Sequence, residues 1–83
     1  MSVSVHTLFF AAYRDLVGVT ALDVDLREGA TVADLVAELR GRGRPFDALP
    51  EEPAIAVNRT YALATEPLSS GDEVAFIPPV AGG

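Results

Sequence analysis

The sequence predicts one small α+β domain, with a mixed sheet of about five strands and one main helix packed on one face. Several short segments alternate apolar and polar residues with a period of two, which is typical of strands that are buried on one side. One segment instead repeats apolar residues at i, i+3, i+4 and i+7, which predicts an amphipathic helix. The chain has 83 residues, of which 49% are hydrophobic, so it can build a single core without a metal or a disulfide.

The first part of the chain predicts a strand, a short helix and a second strand. Residues 3–10 are rich in β-branched and aromatic residues and form the first strand candidate. Residues 11–17 have a helical composition, and Gly18 is suited to end that helix in the left-handed conformation. Residues 20–26 then alternate cleanly. The face predicted to be buried consists of Thr20, Leu22, Val24 and Leu26.

The main helix is predicted to start after Thr31, which is a good N-cap because Asp34 follows three residues later in a capping-box arrangement. Gly41 and Gly43 are expected to end it. Its apolar stripe consists of Val32, Leu35, Val36 and Leu39.

The second half of the chain predicts a loop followed by three strands. The loop covers residues 43–53, and Phe46 and Leu49 are expected to attach it to the core. The strand candidates are residues 54–57, 60–64 and 73–77. A tight turn at Asn58-Arg59 joins the first two, since Asn tolerates positive φ there, although Arg in the second position is less usual.

The order of these elements favours a β-grasp, or ubiquitin-like, roll. The second strand can pair antiparallel with the first, the helix crosses the sheet, and the last strand can lie beside the first in the middle. The pattern does not fix this strand order, and a split βαβ arrangement is the alternative. In either case residues 1–77 form the domain, and residues 78–83 form an extended C-terminal tail.

The last strand is apolar on both faces, although one main helix can cover only one of them. Val74 and Phe76 share one face, and the residues between them share the other. An uncovered apolar face predicts a protein partner. The predicted partner interface consists of Phe10, Tyr61, Ala75 and Ile77. Two questions stay open: which of Phe9 and Phe10 faces the core, and whether the 43–53 loop covers this face instead.

The tail has the composition of a segment that enters a narrow channel. Pro78 and Pro79 restrict the backbone directly after the last strand, and Gly82 and Gly83 carry no side chain. Six extended residues reach about 20 Å. We therefore predict that the carboxylate of Gly83 is the reactive group. The residues predicted to thread into a partner are Pro78, Pro79, Val80, Ala81 and Gly82. The alternative is a frayed terminus without a function.

Composition excludes several other functions. The net charge of −6 argues against nucleic acid and fits a basic protein partner better. There is no cysteine, and His6 stands alone in a strand, so neither a metal site nor a nucleophile–base pair is predicted. No signal peptide and no membrane-spanning segment are recognisable, so we expect a cytoplasmic protein.

Nearly the whole chain resembles the small, sulfur-carrying subunit of molybdopterin synthase. The segments that carry the resemblance are Phe9-Phe10-Ala11, Arg14, Leu16-Val17-Gly18, Ala56-Val57-Asn58, Pro67-Leu68, Gly71-Asp72-Glu73-Val74-Ala75-Phe76, Pro78-Pro79-Val80 and Gly82-Gly83. The aromatic opening followed by a helix distinguishes the chain from the related sulfur carrier of thiamin thiazole synthesis, which is typically shorter.

This resemblance implies a β-grasp sulfur carrier that is not catalytic alone and binds no cofactor itself. A ubiquitin-activating-like adenylyltransferase would use ATP to adenylate Gly83, and sulfur from a donor enzyme would then form a thiocarboxylate. The tail would enter the large synthase subunit and donate sulfur to cyclic pyranopterin monophosphate, forming the molybdopterin dithiolene. The remaining alternatives are a carrier for another sulfur pathway, a ubiquitin-like protein modifier, and an interaction domain with an inert tail.

Overall fold

The structure, a computed structural model, describes residues 1–79. The strands are β1 (Ser2–Phe9), β2 (Ala21–Arg27), β3 (Ala54–Val57), β4 (Thr60–Ala62) and β5 (Glu73–Ile77). The helices are α1 (Ala11–Val17) and α2 (Val32–Arg40), and a short 3-10 turn spans Phe46–Ala48. Within residues 1–79, neither helix has the length and apolar character that crossing a bilayer requires.

The five strands form one mixed sheet in the order β2-β1-β5-β3-β4. The last strand, β5, runs parallel to β1 at the centre of the sheet and antiparallel to β3. Strands β1 and β2 form an antiparallel pair, as do β3 and β4. This arrangement is the predicted β-grasp roll, and the alternative split βαβ arrangement is wrong for this chain.

The core lies between α2 and one face of the sheet. Phe9 is fully enclosed at 1% exposure, whereas Phe10 is 47% exposed, which answers the question that the sequence left open. The Phe9 ring lies 5.2 Å from that of Phe76, its register partner on β5. The helix contributes its predicted stripe of Val32, Leu35, Val36 and Leu39. Among residues 1–79, no helix covers the opposite face of the sheet.

The 43–53 loop packs on the helix side of the sheet. The side chain of Leu49 is buried, and the ring of Phe46 lies 6.2 Å from that of Phe9. Arg40 on α2 donates to the carbonyl of Leu49 at 2.8 Å and so ties the loop to the helix. The alternative in which this loop covers the second face of the sheet is therefore wrong.

Strand β4 is shorter than predicted, because carbonyl groups in the segment that follows it accept hydrogen bonds from the first residues of α2. The carbonyl of Ala64 accepts a hydrogen bond from Ala33 N, and the carbonyl of Glu66 accepts one from Val32 N. The first N–H groups of a helix have no partner inside the helix, so these two carbonyls satisfy them. The chain thus leaves the sheet after Ala62, and Leu63 is 78% exposed.

Replacing Thr7 by valine is expected to stabilise the domain. Thr7 is fully buried between its register neighbours Leu22 and Val74, and within residues 1–79 its hydroxyl has no hydrogen-bond partner. Removing an unsatisfied buried hydroxyl should raise the free energy of unfolding by about 1 kcal/mol. Urea denaturation measures this gain, and Thr60→Val, at an exposed strand position, is the matched control. A loss of stability in Thr7→Val would show that the hydroxyl has a partner.

Acid is expected to weaken the start of α2. The Asp34 carboxylate accepts hydrogen bonds from the backbone N–H of Thr31 at 2.9 Å and from the Thr31 hydroxyl at 3.2 Å, and Arg27 lies 3.3 Å away. These contacts, the backbone bond first, hold the pKa of Asp34 below its usual 3.8. The carboxylate therefore contributes stability above that pKa, and the contribution disappears as the pH falls through the lowered folded value.

The variant Asp34→Asn tests this linkage. We expect it to be less stable than the natural chain at neutral pH, and the difference in urea midpoint should shrink as the pH falls below about 4. A difference that is constant across this range would mean that the charge of Asp34 does not support the helix.

Candidate functional site

The face of the sheet opposite α2, hereafter the open face, has a continuous apolar row across all five strands. The row follows the register of the sheet, in which Leu8 pairs with both Ala21 and Ala75 while Ala56 pairs with both Ala75 and Tyr61. Directly paired residues of neighbouring strands share one face. The side chains of Ala56 and Ala75 at the centre of the row are short, so the middle of this face is recessed between larger side chains.

This low centre is a shallow depression of about 510 Å³. It is lined by Leu8, Phe10, Ala56, Arg59, Tyr61, Glu73, Ala75 and Ile77. The structure thus brings together all four residues that the sequence assigned to a partner interface. Tyr61 is 75% exposed and Ile77 is half-buried. That these residues contact a partner stays a prediction.

Ala75 is less exposed than the sequence predicted for a residue of the open face. It lies on this face but is only 8% exposed, because its strand is central and neighbouring strands flank it on both sides. Ala75 therefore forms the floor of the depression. The exposed apolar surface comes from the larger side chains around it.

Sequence reasoning missed four lining residues. Leu8 had a usable signal, because residues two apart on a strand share a face and Leu8 stands two before Phe10. Ala56 lies on a strand that is apolar throughout, so its face was ambiguous. Glu73 had the same kind of signal, since it stands two before Ala75 on the last strand. Arg59 gave no signal, since its position depends on how β3 and β4 pair with the centre of the sheet.

A tight turn at Asn58-Arg59 places Tyr61 and Arg59 beside the depression. Both turn residues have positive φ, 50° at Asn58 and 71° at Arg59, which matches the predicted hairpin turn. The Asn58 side chain fixes the turn, because its amide nitrogen donates to Asp72 at 3.0 Å while its oxygen accepts from Glu73 N at 3.0 Å. The turn is therefore joined to the start of β5.

The tail begins at the edge of the open face. Strand β5 ends at Ile77, after which Pro78 is half-buried and Pro79 is exposed. A second groove lies beside the two prolines, and Tyr61 and Ile77 line both this groove and the depression. The other residues predicted to thread, Val80, Ala81 and Gly82, and the predicted reactive Gly83 lie outside the described residues.

The remaining polar side chains of the open face include a histidine–aspartate pair. His6 Nδ1 lies 2.6 Å from an oxygen of Asp23, its register partner on β2, and both side chains are exposed. Among residues 1–79, no cluster of three or more histidine, cysteine or acidic residues could hold a metal ion. The main chemical character of the described open face is therefore an apolar surface that leads to the start of the tail.

Together, the sheet order and this face define a ubiquitin-like β-grasp domain with an apolar surface next to the start of its tail. The chain belongs to the ThiS family, whose model matches residues 7–83. It is 34% identical to the molybdopterin synthase sulfur carrier subunit of Chlamydomonas reinhardtii, with 98% of this chain and 100% of that protein covered. It is 38% identical to the protein of the same name from Escherichia coli K12, with 95% and 99% covered.

Solved structures agree with this assignment. A putative molybdopterin converting factor subunit 1 from Pyrococcus furiosus has a TM-score of 0.82 at 37% identity, with 94% of this chain and 99% of that chain covered. The protein SAMP1 from Haloferax volcanii has a TM-score of 0.83 at 28% identity, with 96% and 99% covered. A complex of subunits 1 and 2 of molybdopterin-converting factor from Helicobacter pylori shares the fold, with a TM-score of 0.68 at 23% identity and 96% and 99% covered.

The curated relatives confirm the prediction of a molybdopterin synthase sulfur carrier subunit. A subunit of this kind is one component of an enzyme and is not a catalyst by itself. The fold prediction is confirmed as well, by the solved structures.

Proposed function

We propose that this chain carries sulfur as a thiocarboxylate on Gly83 and delivers it while docked on the large subunit of molybdopterin synthase. The observation that carries the proposal is the continuity between the open face and the start of the tail. Tyr61 and Ile77 line both the depression and the groove beside Pro78 and Pro79. A partner that covers the depression would therefore receive the tail at a fixed point of entry.

The proposed chemistry begins outside this chain. A carboxylate resists nucleophilic attack, so a ubiquitin-activating-like enzyme uses ATP to convert the carboxylate of Gly83 into an acyl-adenylate and releases pyrophosphate. Sulfur at the oxidation level of sulfide, supplied by a donor enzyme, then attacks the acyl carbon, and AMP leaves. The thiocarboxylate keeps a nucleophilic sulfur on a tether, which gives it a high local concentration at the bound cyclic pyranopterin monophosphate. In this scheme the chain binds no cofactor, and its partners are cytoplasmic proteins.

The lack of reactive side chains supports this scheme. The chain has no cysteine and no lysine, so no side-chain thiol or amine of its own can attack the activated Gly83. The large-subunit partner is proposed by analogy with the Helicobacter pylori complex, whose subunit 1 shares this fold.

Intact-mass measurement tests the carrier chemistry directly. The purified chain is incubated with ATP, the adenylating enzyme and a sulfur donor, and a parallel sample omits ATP. We expect a mass gain that matches the replacement of one oxygen by sulfur, localised to Gly83 by fragmentation and absent without ATP. No gain, with an adenylating enzyme shown to be active on another carrier, would contradict the proposal.

A second candidate function is modification of other proteins through Gly83. The similarity to SAMP1 of Haloferax volcanii at 28% identity, a protein described as a small archaeal modifier, favours it. A modifier would form isopeptide bonds between Gly83 and lysines of other proteins. Affinity purification of a tagged chain, followed by mass spectrometry, distinguishes the two functions. Isopeptide-linked adducts would support modification, and their absence under ATP-replete conditions would leave sulfur transfer alone.

A further inference from the structure

We propose that Arg59 is a specificity-determining residue of the open face, and that the docked protein presents a carboxylate opposite its guanidinium. This inference rests on the proposed docking function and deepens it. Three observations carry the proposal: a strained backbone at Arg59, a guanidinium without an ion-pair partner in the described part of the chain, and a position beside the apolar depression.

The first observation is that this turn holds an arginine where glycine fits best. The φ angle of Arg59 is 71°, in the left-handed region that a residue with a Cβ adopts at a cost and glycine adopts freely. The hydrogen bonds of Asn58 to Asp72 and Glu73 impose the turn, so Arg59 cannot relax. Residues with strained backbone angles cluster at binding sites, where the function of the side chain offsets the energetic cost of the strain.

The second observation concerns charge. Of the six arginines, four lie within 4 Å of a carboxylate: Arg14, Arg27, Arg40 and Arg42. Within residues 1–79, no such ion pair includes Arg59, even though Glu73 lines the same depression. A chain of net charge −6 thus presents one arginine at its apolar docking surface.

The consequence follows from desolvation. A partner that covers the depression removes water from the guanidinium of Arg59, and an uncompensated buried charge is costly. A carboxylate is the best compensating group, because it accepts two parallel hydrogen bonds from the planar guanidinium. The net negative charge of the rest of the chain attracts basic partners, whereas Arg59 requires an acidic residue at one position on the partner's surface. That requirement fixes the register of docking and discriminates between partners.

Binding to the large subunit tests the proposal with three variants of the full chain. Arg59→Gln removes the charge and should weaken binding about tenfold, while Arg59→Glu places two like charges together and should weaken it about a hundredfold. Arg59→Gly should weaken binding as much as Arg59→Gln while raising the Tm by a few degrees, because it relieves the strained turn.

Several outcomes would overturn the proposal. Affinities of Arg59→Gln and Arg59→Gly that equal that of the natural chain would remove Arg59 from the contact. Equal losses in Arg59→Gln and Arg59→Glu would exclude an opposing carboxylate, and a lower Tm in Arg59→Gly would exclude the strain. Tyr61→Asp serves as the reference: if it also binds normally, the docking face itself is wrong, and if it alone fails to bind, only the role of Arg59 is wrong.

Discussion

Deletion of Gly83 is expected to abolish sulfur transfer while leaving the domain folded. The deletion does not remove the terminal glycine as such, since Gly82 then carries the carboxylate. It moves the terminal carboxylate back toward the domain by one residue, about 3.3 Å along an extended chain. Because a misplacement of 1 Å can cost about a hundredfold in rate, the product formed by the reconstituted synthase should fall at least that far.

The Tm of the shortened chain is the control for this experiment. Gly83 lies beyond the predicted 1–77 domain, so the Tm should match that of the natural chain. A truncated chain that keeps full activity would refute the assignment of Gly83. A truncated chain that is inactive but also unfolded would contradict the division into a domain and a separate tail.

Placing a carboxylate on the open face is expected to give the second large effect. Ile77→Asp should weaken binding to the large subunit at least a hundredfold, because docking would bury an unpaired charge. Ile77 is half-buried, so the variant also carries a risk to the fold. Tyr61→Asp carries less risk, since Tyr61 is 75% exposed and belongs to the edge strand. Both affinities can be measured by isothermal titration calorimetry.

Leu63→Asp is the matched control for Tyr61→Asp. Leu63 is also apolar and 78% exposed, and it lies two residues away, but it does not line the depression. It lines a different groove, beside Val32 and Val36 of α2. We expect the affinity of Leu63→Asp to stay close to that of the natural chain. Equal losses in the two variants would show that net charge, and not the open face, controls binding.

Local pattern was sufficient to predict most of the elements. The capping box of Thr31 and Asp34 is present, and Gly18 ends α1 with φ of 81°. These features depend on residues only a few positions apart, so the sequence shows them directly. The apolar character of β5 on both faces also correctly indicated an uncovered side of the sheet, because one main helix covers only one face.

The composition of the open face could be decided only from the tertiary structure. Alternation along β1 defines two faces but does not say which one is buried, and the parallel pairing of Phe9 with Phe76 decides it. This pairing joins residues that are far apart in the sequence, so no local pattern contains it. The position of Arg59 has the same origin, since the side chain of Asn58 donates to Asp72 and accepts from Glu73 N, which joins the turn to the start of the central strand β5.

The sequence by itself thus determined the elements, the two-sided apolar strand and the carrier family, because each depends on neighbouring residues or on a recognisable run of them. Only the tertiary structure decided that Phe10 lies on the open face, that Ala75 forms the floor of the depression, and that Arg59 lines the depression. The physical reason is that a surface is formed by residues from separate strands, and long-range pairing alone determines which of them meet.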